Sequence, residues 1–232
     1  MSMFRRIAAL GSLVAPPLCL ACGRESIPTG RLCEQCEVEL QALFPGARLV
    51  DPFGPVSDMF SIYRYEGPAR AIIKTFKFSG GVGLAQQIAE RIADRAPAGL
   101  LDAVTIIPVP LHPAHRRSRG YNQTALMATA LAAATGLPVC DCLERSGSAR
   151  PQHAAARGER LGLDQSAFAV NLKQHSADLR QTRRSALLLD DVVTTGATLK
   201  GCAVVLRRFG IRQVYGMTFA STNVRTTSIN RG

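Results

Sequence analysis

The sequence predicts an α/β protein, a mostly parallel sheet flanked by helices, with a small cysteine-bearing segment ahead of it. Three observations predict it. Short apolar or alternating runs suited to strands recur along the 232 residues and alternate with amphipathic runs of helical period. One such run ends in two acids followed by a turn of small hydroxyl residues and glycine, LLLDDVVTTGATL, residues 187–199. Four cysteines stand near the N-terminus in two CxxC pairs.

Composition sets the class. With 47% hydrophobic residues the chain can bury a full core. Its 28 Lys+Arg against 17 Asp+Glu give a net charge of +11, which favours an anionic partner such as a nucleic acid or a phosphorylated ligand. Charge alone does not separate that reading from a basic protein with no acidic partner.

The first residues, MSMFRRIAALGSLVAPPLCLAC, carry a basic start, an apolar stretch and small residues, so a secretory signal is a rival reading. Pro16 and Pro17 interrupt the apolar stretch, and cleavage near Ala21 would split the first cysteine pair. The uncharged run over residues 7–23 sits at the short limit for a membrane span, about 17 residues, and the prolines break it. The expectation is a short helix packed on the rest of the chain, in a cytoplasmic protein without a stable membrane span.

Cys19, Cys22, Cys33 and Cys36 come next, two CxxC pairs joined by a short loop. Thiolates at that spacing converge tetrahedrally on one Zn²⁺, and a segment this small has almost no core, so the metal would supply most of its folding free energy. Two disulfides are the alternative. Cys140, Cys142 and Cys202 lie in apolar surroundings and read as small buried residues.

The elements then come in order. Residues 57–65, SDMFSIYRY, alternate and read as a strand. Pro68 suits the first turn of a helix through ARAIIKTFKF, and Gly80, Gly81 and Gly83 mark a loop before a second helix, LAQQIAERIADRA. Residues 103–109, AVTIIPV, are a buried strand, and Asn122 caps an Ala-rich helix running to about Thr135. PVCDCLE reads as a strand, SALLLDD as another, and a helix from about Gly196 to Phe209 precedes a last strand near QVYGMTFA. Residues 145–184 have weak periodicity and read as a long mobile excursion.

In open sheets of this kind ligands bind beyond the carboxyl ends of the strands. Asp190 and Asp191 are expected to emerge there. Thr194, Thr195, Gly196, Ala197 and Thr198 would turn into the following helix, their N–H groups and hydroxyls free to surround a phosphate at the positive end of the helix dipole. The two carboxylates suit the vicinal hydroxyls of a ribose and repel a second phosphate from that side. No GK[ST] follows the glycine, so a Walker-type loop is excluded.

DDVVTTGAT resembles the phosphoribosyl pyrophosphate (PRPP) motif of type I phosphoribosyltransferases, and nearly the whole chain resembles the ComF family of competence-associated, phosphoribosyltransferase-like proteins. The CxxC pairs, YRYEGPAR, KTFKF, PVPLHPAHRRSRGYNQ and the final motif carry that likeness together. It implies the type I phosphoribosyltransferase fold over residues 47–221 behind an N-terminal helix and zinc ribbon over 1–46; residues 222–232 read from their own composition as a flexible tail. It implies that the Val193–Thr198 loop holds a 5-phosphate and that Asp190 and Asp191 face the ribose as the catalytic acids. Pro108, Val109 and Pro110 would approach the pyrophosphate with Mg²⁺, and Arg116, Arg117 and Arg119 would add anionic contacts. Lys74 and Lys77 recur in the family's KF element and read equally well as surface charges.

Gln152 and Arg160 match the family's mobile segment in spacing, but Leu163, Ala149 and Ala155 replace its asparagine, threonine and leucine, which puts loop closure in doubt. His112, His115 and His153 read as polar loop residues, and no motif marks a nucleobase pocket. The resemblance implies two functions. One is a PRPP-binding module that assists DNA uptake with single-stranded DNA and the uptake machinery as partners; Tyr121, Tyr63 or Phe78 would offer stacking faces, with core packing the alternative use of each. The other is an active Mg-dependent phosphoribosyltransferase in nucleobase salvage.

Overall fold

The strand that carries the two acids lies deep in a sheet, and its neighbours explain the order of everything else. In a computed structural model the described residues are 18–25, 32–44, 48–49, 54–79, 82–97, 99–102, 104–145, 167–171 and 185–222. The expected first helix, Gly80 and Gly81, the segment with Gln152, His153 and Arg160, and the tail from residue 223 lie outside them.

The described elements run α1 (Glu34–Ala42), β1 (Arg48–Leu49), β2 (Asp58–Arg64), α2 (Gly67–Ser79), α3 (Val82–Arg95), β3 (Thr105–Pro108), α4 (Pro113–Arg119), α5 (Gln123–Thr135), β4 (Leu143–Arg145), β5 (Phe168–Val170), β6 (Ser185–Val193), α6 (Ala197–Arg208) and β7 (Gln213–Ser221). The main sheet has the order β1-β2-β7-β6-β3, parallel throughout except for the antiparallel edge strand β1. This is the α/β architecture with a parallel sheet that the alternation of elements predicts.

Leu187, Leu188 and Leu189 are each fully buried because both faces of β6 are covered, which is why the run is continuously apolar. On one face α2, α3 and α5 press Ile72, Ile73, Phe76, Ile88, Ile92, Met127 and Leu131 onto Leu187 and Leu189. Leu40 of α1 is buried in that same core. On the other face α6, with Cys202 and Leu206, packs on Leu188 and Val214 together with the small β4–β5 sheet. Cys140, Cys142 and Cys202 are all buried, as expected.

Four sequence expectations are corrected. PVCDCLE is not one strand: Val139 forms an isolated parallel bridge with Ile106, and the chain then leaves to pair Leu143–Arg145 antiparallel with Phe168–Val170. Part of the expected excursion is therefore an ordered strand, pinned where Phe168 packs against Gly201 of α6. The basic stretch after the β3 loop is a helix, α4, whose start is capped by His112 Nδ1 accepting the Ala114 N–H at 3.2 Å. Asn122 stands at the N-cap of α5 but its side chain makes no cap bond; its Oδ1 lies 2.7 Å from the Thr124 hydroxyl instead.

Candidate functional site

β6 does not stop at the acids, as its sequence suggests; its neighbour does. Register pairing between β3 and β6 ends at Pro108 opposite Leu189, closed by the Val109 N–H donating to the Leu189 carbonyl at 3.0 Å, while β7 stays paired with β6 as far as Val193. The chain beyond Pro108 turns away. Asp190 and Asp191 thus face a cleft of about 220 Å³ at the carboxyl end of β3, lined also by Lys77, Val109, Pro110, Leu111, His112, His115, Arg119, Asn122, Gln123, Thr124, Arg145 and Thr198.

Successive strand residues point to opposite faces, and the two acids divide accordingly. Asp191 shares the side of Leu189 and meets α2, where Lys77 Nζ lies 2.8 Å from its Oδ2. Asp190 shares the side of Leu188, and its Oδ1 accepts the Asp191 N–H at 2.8 Å. Burial, and next the Asp191 carboxylate, push Asp190 up from its ordinary 3.8 to about 8, against the opposing pull of the Asp191 N–H, Lys77 and Arg145. Adjacent acids coexist here because one is paired with a lysine and burial favours the protonated form of the other.

The turn after β6 is built for close approach. Gly196 caps α6 at φ +75°, a conformation L side chains rarely adopt, and its Cα side faces Met59. Thr194 and Thr195 are exposed and Thr198 lines the cleft; α6 carries no acid in its first turn, and its first N–H, that of Ala197, donates to the Thr195 hydroxyl oxygen at 3.4 Å. Val193 is different: its side chain is core, so only its backbone is available to a ligand.

The cations come from three elements. Arg119, at the end of α4, lies against Gln123; with the Gln123 amide assigned oxygen toward the guanidinium, the orientation that satisfies both groups, that oxygen accepts from Nε at 3.3 Å and from a terminal guanidinium nitrogen at 2.5 Å. Arg145, at the end of β4, lies 5.3 Å over the Phe168 ring. Lys77 comes from α2. The Thr124 hydroxyl donates to the Val109 carbonyl at 2.6 Å and so ties the β3 loop to α5.

Of the residues singled out from sequence, the structure brings together Asp190, Asp191, Val109, Pro110, Arg119 and Thr198, with Lys77, His112 and His115 beside them. Pro108 ends β3 beneath them, and Arg116 and Arg117 lie within α4 with side chains outside the described part. Lys74 is exposed on α2 and does not line the cleft. Arg145 and Gln123 escaped the sequence reading. Arg145 left one signal, a charge at the end of the apolar CLE run; Gln123 left none.

A second cluster lies apart from the cleft. The Sγ atoms of Cys19, Cys22, Cys33 and Cys36 fall within 4.8 Å of one another, and Cys22 and Cys33 are 3.7 Å apart. At a Zn–S distance of about 2.3 Å a tetrahedron has edges of about 3.8 Å, so the donor set fits a tetrahedral thiophilic ion. The Arg24 guanidinium, donating to Cys22 Sγ at 3.3 Å, lowers that thiol to about 6, whereas burial and the neighbouring sulfurs hold Cys36 high. Four thiolates at this spacing repel one another unless a cation neutralises them. These four cysteines can hold a metal ion.

Fold and site together define a parallel α/β protein with a small-ligand cleft of mixed acids and cations at its strand ends, joined to a four-cysteine knuckle. No protein-family model matches the chain. It is similar to Competence protein F of Haemophilus influenzae, 28% identical over 229 residues, covering 94% of this chain and 97% of that protein. It is also similar to the DNA utilization protein YhgH of Escherichia coli K12, 26% identical over 204 residues, and of Salmonella typhimurium, 27% over 205, each covering 85% of this chain and 87% of the relative. The likeness to these proteins runs along nearly the whole length of the chain. A solved structure of the allosteric regulatory enzyme of purine biosynthesis aligns with 64% of the chain at 14% identity and a TM-score of 0.34, covering 29% of that protein.

Proposed function

We propose that this chain is a PRPP-binding, phosphoribosyltransferase-like protein that assists DNA uptake, as the names of its homologues suggest, and that it handles single-stranded DNA. The observation that carries the PRPP half is the juxtaposition of Asp190, Asp191 and Thr198 with Lys77, Arg119 and Arg145 around one cleft. A sugar carrying phosphates at two ends needs hydroxyl acceptors between two cationic or N–H-rich poles. The acids take the ribose hydroxyls, the Thr194–Thr198 turn takes the 5-phosphate, and the three cations take the pyrophosphate.

Mg²⁺ bound with the pyrophosphate supplies further charge neutralisation, with Asp190 and Asp191 the nearest carboxylates to hold it or its waters. Zn²⁺ is the ion assigned to Cys19, Cys22, Cys33 and Cys36. Among the described residues no helix is long and apolar enough to cross a membrane. The place of action proposed for the chain is the cytoplasm, on DNA that has already entered.

The test is PRPP binding by calorimetry with Mg²⁺, set against the double variant Asp190→Asn, Asp191→Asn. Binding by the native chain that the double variant loses while melting normally supports the reading; equal binding by both would place the ligand elsewhere. Pyrophosphate release in the same samples, with and without each nucleobase, separates a binding module from a salvage transferase.

A further inference from the structure

The sequence offers Tyr63, Tyr121 and Phe78 as aromatic faces for nucleic-acid bases, and the structure separates them. Tyr63 is fully buried and packs on Phe219 at 5.0 Å between ring centroids. Tyr121 is half-buried, with its hydroxyl donating to the Phe76 carbonyl at 2.7 Å. Phe78 is 81% exposed, more so than the other exposed large apolar residues of the described chain. A phenylalanine stabilises a fold by leaving water, and this one has not left it, so the folded chain alone does not account for its position.

What surrounds Phe78 is cationic. The Arg119 guanidinium lies 5.8 Å over its ring, and that guanidinium is itself fixed by the buried Gln123. Its chain neighbour Lys77 lines the cleft, Lys74 is exposed one turn back on α2, and α4, reading PAHRRSR, ends at Arg119. An open aromatic face with a pre-oriented planar cation beside it, in a basic surface, matches how single-stranded nucleic acid is held: bases stack on the ring while the backbone follows the cations.

We infer that Phe78, with Arg119 against it, is a stacking platform for a base of single-stranded nucleic acid at the rim of the cleft. This rests on the DNA half of the proposed function and names its contact. A free nucleobase would also stack on an aromatic ring, but it has no use for the surrounding positive charge; a strand has. The stacked base contributes affinity that is indifferent to salt, whereas each phosphate contact adds to the salt dependence.

The chain has no tryptophan, so Phe78→Trp creates a single tryptophan at the platform, excited on the red edge of its absorption band to exclude the four tyrosines. Titrating it with oligothymidylate of about 12 nucleotides at low salt should quench its fluorescence, whereas thymine or thymidine monophosphate at the same base concentration should not. Phe78→Ala should weaken oligonucleotide binding by about 5- to 100-fold, Phe78→Tyr should retain it, and neither should change the salt slope or PRPP binding. Equal affinity for Phe78→Ala and the native chain, or equal quenching by the free monomers, overturns the platform while leaving DNA binding intact. A native chain that does not bind the oligonucleotide at low salt overturns the DNA reading itself.

Discussion

Replacing Asp190 by asparagine removes a group whose proton is held against its ordinary tendency, and the sign of the effect on stability depends on which state holds that proton. In the unfolded chain the carboxyl ionises near 3.8; in the folded chain burial and Asp191 keep it protonated to about 8. The folded state therefore binds more protons across that interval, so the native chain loses stability as pH rises from about 4 and the loss is complete above about 8. At about 1.4 kcal/mol for each tenfold change in proton activity, the ceiling is ~6 kcal/mol. The cleft is open to solvent and the pair is coupled, so about 3 kcal/mol is the working figure.

Asparagine has the same shape, can still accept the Asp191 N–H and does not titrate. Asp190→Asn should thus melt close to the native chain at pH 4.5 and well above it at pH 8.5. At 2–4 °C per kcal/mol for a chain of this size, the gain at high pH is roughly 6–12 °C. Differential scanning calorimetry without Mg²⁺ or phosphorylated ligands makes the measurement. A difference between the two proteins that is the same at both pH values, or a variant less stable at pH 8.5, would refute the account of Asp190.

Three further outcomes are expected. Lys77→Met should cost about 1–3 kcal/mol by leaving Asp191 unpaired beside Asp190, and adding Asp191→Asn should recover most of it, giving a coupling measurable by a double-mutant cycle in urea. Withdrawing the metal with a zinc chelator, or Cys36→Ser, should lower the melting temperature and release the metal in about a one-to-one ratio with protein; a chain that contains no metal when purified under reducing conditions contradicts the four-thiolate site. Gly201→Ala would put a Cβ 2.8 Å from Phe168 Cε2, so it should cost about 1–3 kcal/mol by calorimetry and, by shifting Phe168, loosen Arg145 and weaken pyrophosphate binding; unchanged stability and binding would show that β5 moves aside freely.

Much of the fold is legible because single strands and helices announce themselves locally. The unbroken LLL of β6 and the Ile72, Ile73, Phe76 stripe of α2 are explained by burial on two faces and on one. Asp190, Asp191 and the threonine turn are legible for the same reason, being contiguous. The illegible parts are set by distant chain segments or by very short ones. Helix α4 has no apolar period; its start is fixed by Pro113 and the His112 cap. Strands β4 and β5 have three residues each, too few for a pattern, and hold only because they find one another and Gly201. Lys77 and Arg145 reach the acids from far along the chain, and nothing in β6 indicates which cations will face it.

Helix α2 has two ends of business only two residues apart. The Thr75 hydroxyl donates to the Leu20 carbonyl inside the cysteine loop at 3.2 Å, and Lys77 holds Asp191 in the cleft. The knuckle is fastened a second time where Arg91 of α3 grips Glu37 of α1 with two bonds of 2.8 and 2.6 Å. One rigid rod therefore touches both sites. Thermodynamics makes any influence along it mutual: by whatever factor a ligand in the cleft alters the grip of the cysteines on their ion, the ion alters the grip of the cleft on that ligand by the same factor.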